Sequence, residues 1–251
     1  MSERVLLKIG GSVITDKSVQ GLIRYDEIER ISHVIASRHD LSLLLVHGAG
    51  SCGHPEASRY RLSGGVSEAN RAGIFETHQA VARLNSGFVR ALREDGAEAV
   101  GIHLLSAGFA DNGRLLSGEF PQIDRMISLG IIPVLHGDVV MDRTRGACII
   151  SGDQLVNILA ENLGMTRIGV ATDVPGVLCD GEVIPEITPE TQKTLKIGAS
   201  VHTDVTGGMS GKVSELLLLA ERGISSDIFH ASRIGDFLDG RPHGGTRVKG
   251  Y

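Results

Sequence analysis

The sequence predicts an α/β fold, a three-layer αβα sandwich around an open, mainly parallel central sheet. Two observations carry this. Short apolar runs bounded by glycine alternate along the chain with helical patterns, the order that builds a parallel sheet covered on both faces. The composition agrees: 251 residues hold 33 glycines but no tryptophan, three tyrosines and six phenylalanines, the balance of a chain rich in tight strand-to-helix turns.

Taken in order, strands are expected at 5–9, 41–46, 100–104, 131–135, 167–171 and 226–230. Each is a brief continuous apolar run, as in strands buried on both faces. Helices are expected at 25–37, 67–93, 119–129, 153–163 and 209–222, where apolar residues recur at helical spacing. Two β-rich pieces, 139–141 and 147–150, flank DRTRG and predict a hairpin with its turn at 142–146. No repeat or linker-like stretch divides the chain. One domain, 1–251, is therefore expected, with an N-terminal lobe to about 150 and a C-terminal lobe beyond it.

Charge and cysteine usage exclude several classes. The net charge of −5 argues against nucleic acid or an anionic membrane as the main partner. The apolar stretch VLLKIGGSVI is short and carries Lys8, so no signal peptide is read there. No apolar run approaches the ~18 residues of a membrane span. Cys52, Cys148 and Cys179 are odd in number and far apart, which points to reduced thiols in the cytoplasm. Neither they nor the ten histidines show metal-ligand spacing, so no protein-held metal is expected.

Three lysines beside glycine-rich turns carry the chemistry: Lys8 and Lys17 in LLKIGGSVITDK, and Lys212 in DVTGGMSGK. Glycine lets backbone N–H groups approach a polyphosphate closely, and lysine supplies a compact mobile charge. Lys8 lies inside an apolar strand and must emerge at its end toward an anion. Lys212 follows Gly207 and Gly208 in the first turn of a helix, where a cation opposes the helix dipole. The segment is no Walker A loop, because Val213 follows the lysine. LLLVHGAGSCGH contains G-x-G-x-x-G in Gly48, Gly50 and Gly53. A dinucleotide unit needs a helix at once and an acid about twenty residues on, and Pro55 with RYRLSGG reads as blocking the first. What survives is a glycine-lined anion nest with His54 at its end. Asp153 stands at a helix start, where it could equally be a plain N-cap, and Asp173 follows a strand in what could be an ordinary turn.

In order, KIGGSVITDK, HGAGSCGHP, HGDVV, SGDQLVNILAENL, TDVPGVL, DVTGGMSGK and GGTRV resemble the amino acid kinase family along nearly the whole chain. The likeness is closest to isopentenyl phosphate kinases, chiefly through HGAGSCGHP, since related acetylglutamate and uridylate kinases typically have a glycine-only turn where this chain has His54. The resemblance implies a homodimer of amino acid kinase-like domains, with ATP over the C-terminal lobe and the acceptor over the N-terminal lobe. It also implies residue roles. Lys8 would bridge the transferring phosphate, Lys17 would stabilise it near the acceptor, Lys212 would hold the ATP phosphates, and Asp153 would orient its flanking lysines. Gly10, Gly11, Ser12, Gly50, Asp173 and Gly208, with Lys8 and Lys212, match ATP-binding positions. Ala49, Gly53, His54 and Gly152 match positions that receive the acceptor phosphate. The long helix around Phe75 and Gln79 and the hairpin are expected to wall a prenyl tail.

The expected reaction is ATP-dependent phosphorylation of isopentenyl phosphate to the diphosphate, with Mg²⁺ carried on ATP. Such an acceptor already offers an anionic oxygen, so no general base is required. A fosfomycin kinase-like phosphotransferase and an inactive nucleotide-binding protein on the same fold remain as alternatives, with nicotinamide binding behind them.

Overall fold

The computed structural model describes residues 3–116, 120–192 and 208–250. Its centre is an eight-stranded sheet. From edge to edge the strands are Glu186–Ile187, Thr246–Val248, Ser226–His230, Arg167–Thr172, Arg4–Ile9, Ser42–His47, Ile132–His136 and Ala99–Ile102. All neighbours pair in parallel except Ser226–His230 with Thr246–Val248, which run antiparallel. The first strand is central, with Lys8 in register with Val46 on one side and Val170 on the other.

Side-chain alternation along a strand divides the core into two layers. Val5, Leu7 and Ile9 face one cluster, which also takes residues from the helices Tyr25–Ala36, Ala72–Glu94 and Ile234–Leu238. Leu6 faces the other, built with Pro121–Ser128, Gly152–Asn162 and Gly208–Ala220. Lys8 shares the parity of Leu6, so its side chain enters the layer of the helix that carries Asp153. The three-layer αβα sandwich expected from the sequence is the observed fold.

Element boundaries differ for identifiable reasons. The long helix begins at Ala72 rather than at Ser67. Asn70 holds the intervening residues in a turn: its Oδ1 accepts from Ser67 N–H at 2.8 Å and its amide donates to the carbonyls of Tyr60 and Gly65, each at 3.0 Å. The strand expected over 100–104 ends at Ile102, and Leu104 opens a four-residue helix, Leu104–Ala107. The helix expected from 119 starts at Pro121, while Glu119 lies outside the described residues. Strands Glu186–Ile187 and Thr246–Val248 were not foreseen, being two and three residues long. The hairpin pairs Asp138–Asp142 with Gly146–Ile150. Asp142 organises its turn by accepting from the N–H groups of Thr144 and Arg145 at 2.9 and 2.7 Å.

Candidate active site

At the carboxyl ends of the central strands lies a cavity of about 1080 Å³. Its floor is an ion triad. Lys8 is 4% exposed, and its Nζ donates to Asp153 Oδ1 at 2.8 Å. Lys212 Nζ donates to Oδ1 and Oδ2 of the same carboxylate at 3.2 and 3.3 Å. Asp153 is not the helix cap: Ser151 is, its hydroxyl accepting from Gln154 N–H at 3.2 Å. The carboxylate is thus available to both lysines. Burial lowers the Lys8 ammonium to about 8, helped by Lys212 and opposed by Asp153. Burial alone would raise the Asp153 carboxyl, but Lys212 and Lys8 hold it at about 2. Two ammoniums share one carboxylate, which gathers positive charge at the floor of the cavity. Lys212 is the fifth residue of Gly208–Ala220, so it stands beyond the first turn in which the sequence reading put it. Gly207, expected in the preceding turn, lies outside the described residues together with 204–206.

At the mouth, Lys17 Nζ meets Asp173 Oδ2 at 3.4 Å, and the side chains are 49% and 46% exposed. Partial burial disfavours the charge on Asp173, yet the Lys17 ammonium and the Ser12 hydroxyl hold its carboxyl below the ordinary value.

Between floor and mouth, two glycine turns pack backbone against backbone. A Cβ at Gly48 would lie 2.6 Å from Gly11 N, and one at Gly11 would lie 2.6 Å from Gly50 Cα. Gly50 also holds φ at +53°, a left-handed conformation that side chains disfavour. Thr15 stitches the turns together: its hydroxyl donates to Gly11 O at 2.8 Å and accepts from Ser51 N–H at 3.0 Å. The glycines therefore serve turn-to-turn contact as well as any ligand, which the sequence reading missed.

Pro55 does not block a helix. It occupies the first turn of His54–Arg59, where its missing N–H is no loss, and His54 opens that helix. The glycine motif thus does lead into a helix, though only a six-residue one. The next strand along the chain, Ala99–Ile102, lies at the far sheet edge and ends in no acid. That placement separates the motif from a dinucleotide unit.

Every residue assigned to ATP or to the acceptor phosphate, with Lys17 and Asp153, lines this one cavity, from Lys8 and Gly10 to Gly208 and Lys212, with Ala49, Gly53, His54 and Gly152 among them. Sequence reasoning missed others. Thr172, Val174, Leu178 and Met209 line it beside Asp173 and Lys212. Ala57, Thr77 and Val81 line it on the side of Gly53 and His54, together with Ile149 and Ile150 of the hairpin that the sequence reading expected to wall a prenyl tail. The wall expected around Phe75 and Gln79 is corrected accordingly: Phe75 is 63% exposed, and neither residue lines the cavity. Thr77 and Val81, one turn apart, mark the inner face of the helix.

Comparison with known proteins shows the family and the fold. The sequence model of the amino acid kinase family matches residues 3–230. The isopentenyl phosphate kinase of Methanothermobacter thermautotrophicus is 38% identical, over 98% of this chain and 99% of its own. That of Haloferax volcanii is also 38% identical, over 98% of each. Among solved structures, an isopentenyl phosphate kinase superposes with a TM-score of 0.87 at 34% identity, covering 98% of this chain and 100% of its own.

Proposed function

From membership of the amino acid kinase family, to which this chain belongs, we propose that it is an isopentenyl phosphate kinase that transfers the γ-phosphoryl group of ATP to isopentenyl phosphate. The observation that carries the choice of acceptor is the composition of the cavity beyond His54. Ala57, Val81, Ile149 and Ile150 offer apolar surface where a prenyl tail would follow the phosphate, with the Thr77 side chain among them. A fosfomycin-like acceptor, small and polar, has no use for that wall.

The residues divide the work as follows. The acceptor phosphate sits on the Ala49–Gly53 turn, on Gly152 and on His54 in the N-terminal lobe. ATP lies over the C-terminal lobe, its phosphates against Gly10, Gly11, Ser12, Gly50 and Gly208, with Asp173 beside it. Lys8 and Lys212, oriented by Asp153, draw the bridging and leaving oxygens, and Lys17 leaves Asp173 to follow the moving phosphoryl group. An acceptor oxygen forms the new P–O bond as the bond to ADP breaks. No proton has to move, so positioning and charge neutralisation supply the catalysis. Among the described residues that line the cavity, Asp153 and Asp173 are paired with lysines and Asp138 with His78, so Mg²⁺ is assigned to the phosphates of ATP, whose charge it would screen.

No helix among the described residues is long and apolar enough to cross a membrane, and the three cysteines are unbridged. We place the enzyme in the cytoplasm as a homodimer, which light scattering of the purified protein tests.

The functional test is ADP release with ATP and Mg²⁺ on isopentenyl phosphate, fosfomycin, acetylglutamate and UMP. Turnover confined to isopentenyl phosphate is expected, and preference for any other acceptor overturns the assignment. Replacing His54 with alanine should raise the acceptor KM and leave that for ATP in place. An unchanged acceptor KM removes His54 from the phosphate.

A further inference from the structure

Four histidines that the transfer step does not use gather behind the acceptor side of the cavity: His47, His78, His103 and His136. His47 and His136 end adjacent parallel strands, in register with each other, and each is followed by a glycine that lines the cavity. Both are fully buried, and their rings stack with centroids 5.4 Å apart.

Their protonation can be deduced from partners that have no choice of role. Asn85 places one side-chain atom 3.1 Å from Val134 O. A carbonyl only accepts, so that atom is the amide nitrogen. The same nitrogen lies 3.0 Å from His47 Nε2, which must therefore accept and carry no proton. The proton of His47 is on Nδ1, which donates to Gly48 O at 3.1 Å. The second strand repeats the arrangement. His136 Nδ1 donates to Gly137 O at 3.1 Å, and its Nε2 accepts from His103 Nδ1 at 2.8 Å. Burial holds both His47 and His136 at about 4, so the rings stay neutral and the tautomers are locked. His78, whose Nδ1 donates to Asp138 Oδ2 at 2.8 Å, closes the cluster on the side of the long helix. Asn85 has room only because residue 101 is glycine, since a Cβ there would collide with its Oδ1.

The consequence falls on the cavity. The described peptide bonds are all trans, so C=O and N–H of one peptide unit point opposite ways. A ring that holds Gly48 O behind the turn aims the N–H of Ala49 away from itself, to the side where Ala49 and Gly50 line the cavity. Gly137 N–H in turn donates to His47 O at 3.1 Å, which ties the two turns together. We propose that His47 and His136 are positioning residues of the acceptor-phosphate cradle, each fixing its glycine turn through an Nδ1–H tautomer imposed by Asn85 or His103. This rests on the acceptor reading of the Ala49 turn given above.

An asparagine amide overlays the Nδ1 of histidine and a glutamine amide its Nε2, so two variants separate the roles. His47→Asn keeps a donor for Gly48 O and should hold affinity for isopentenyl phosphate within about threefold, measured by calorimetry. His47→Gln loses that donor and should weaken it roughly tenfold or more, the scale of one hydrogen bond to a charged ligand. A non-hydrolysable ATP analogue should bind both variants as it binds the parent. Long-range ¹⁵N correlation spectra of the parent protein should show His47 and His136 neutral and protonated on Nδ1, which needs no variant to fold. Equal losses in the two variants, or His47 protonated on Nε2, overturn the positioning role. If the parent binds inorganic phosphate with the same asparagine–glutamine contrast but not isopentenyl phosphate, the substrate reading falls and the positioning role stands.

Discussion

The lysines on the floor of the cleft and the lysine at its mouth occupy opposite environments. Lys8 is buried, Lys212 is part-buried with its side chain 11% exposed, and both share Asp153 at 2.8 to 3.3 Å, whereas Lys17 is half exposed and meets Asp173 at 3.4 Å. Water screens the second pair, and exposed pairs of that kind contribute about 0–1 kcal/mol. Lys17 can exchange its carboxylate for a phosphate at little expense. The floor cannot reorganise so cheaply, because moving either lysine would strand a buried charge. In the proposed reaction, one region would hold its charge in place before substrate arrives, and the other would deliver its charge afterwards.

The contrast can be broken most forcefully at Asp153. Asp153→Ala leaves the buried Lys8 ammonium and the part-buried Lys212 beside it without their shared partner and should destabilise the protein by about 3–5 kcal/mol in urea denaturation, with turnover lost. A loss below about 1 kcal/mol would show that water reaches the floor and that it is not preorganised. Lys17→Ala should lower kcat by roughly 10²–10³, the scale of removing one preorganised charge donor, while stability barely changes. A drop below tenfold takes Lys17 out of the mechanism.

A pH series sharpens the difference. Lys8 gives up its proton near 8 in the folded chain but only near 10.5 when unfolded, so between those values the unfolded state binds the extra proton. Stability contributed by this group therefore rises with pH across that window, while affinity for nucleotide phosphates falls as the charge is lost. Calorimetry and denaturation from pH 7 to about 10 should show the two trends diverging; parallel trends would mean that Lys8 keeps its proton. The smallest effect belongs to Asp173→Asn, expected to change stability by less than about 1 kcal/mol.

Positions that line the cavity were legible in the sequence because lysine inside an apolar strand and glycine at a strand end are each hard to explain otherwise. Lys8, Gly11 and Gly50 could be found this way. The long helix showed through its helical spacing, and the six principal strands through their continuous apolar runs. Short elements did not: Thr246–Val248 has three residues, too few for any pattern, and exists because Ser226–His230 offers it an edge. Pro55 was misread because proline stops a helix from within yet suits its first turn. Asp153 was ambiguous because the true cap, Ser151, lies two positions earlier and only the hydrogen bond reveals it. Phe75 was chosen over Thr77 because residues two positions apart on a helix face nearly opposite ways, and composition does not say which faces in. The histidine cluster was hidden most deeply. Its members are scattered from 47 to 136 and meet only when adjacent strands align, although the repeated His-Gly pair at 47–48 and 136–137 was a visible clue.

The contact between the Gly10–Gly11 and Gly48–Gly50 turns gives the cleft a built-in ruler. Where Gly11 meets Gly48 and Gly50 the turns touch main chain to main chain, with the Thr15 hydroxyl clamping them, so their spacing there is set by van der Waals radii of the main chain, a length no rotamer can adjust. Walls and rim can be remodelled around that gauge to admit bulkier or more slender acceptors, and donor and acceptor would still meet at the same distance. A single methyl group at residue 11 would wedge the jaws apart, and the cleft would then grip both partners too far apart to react.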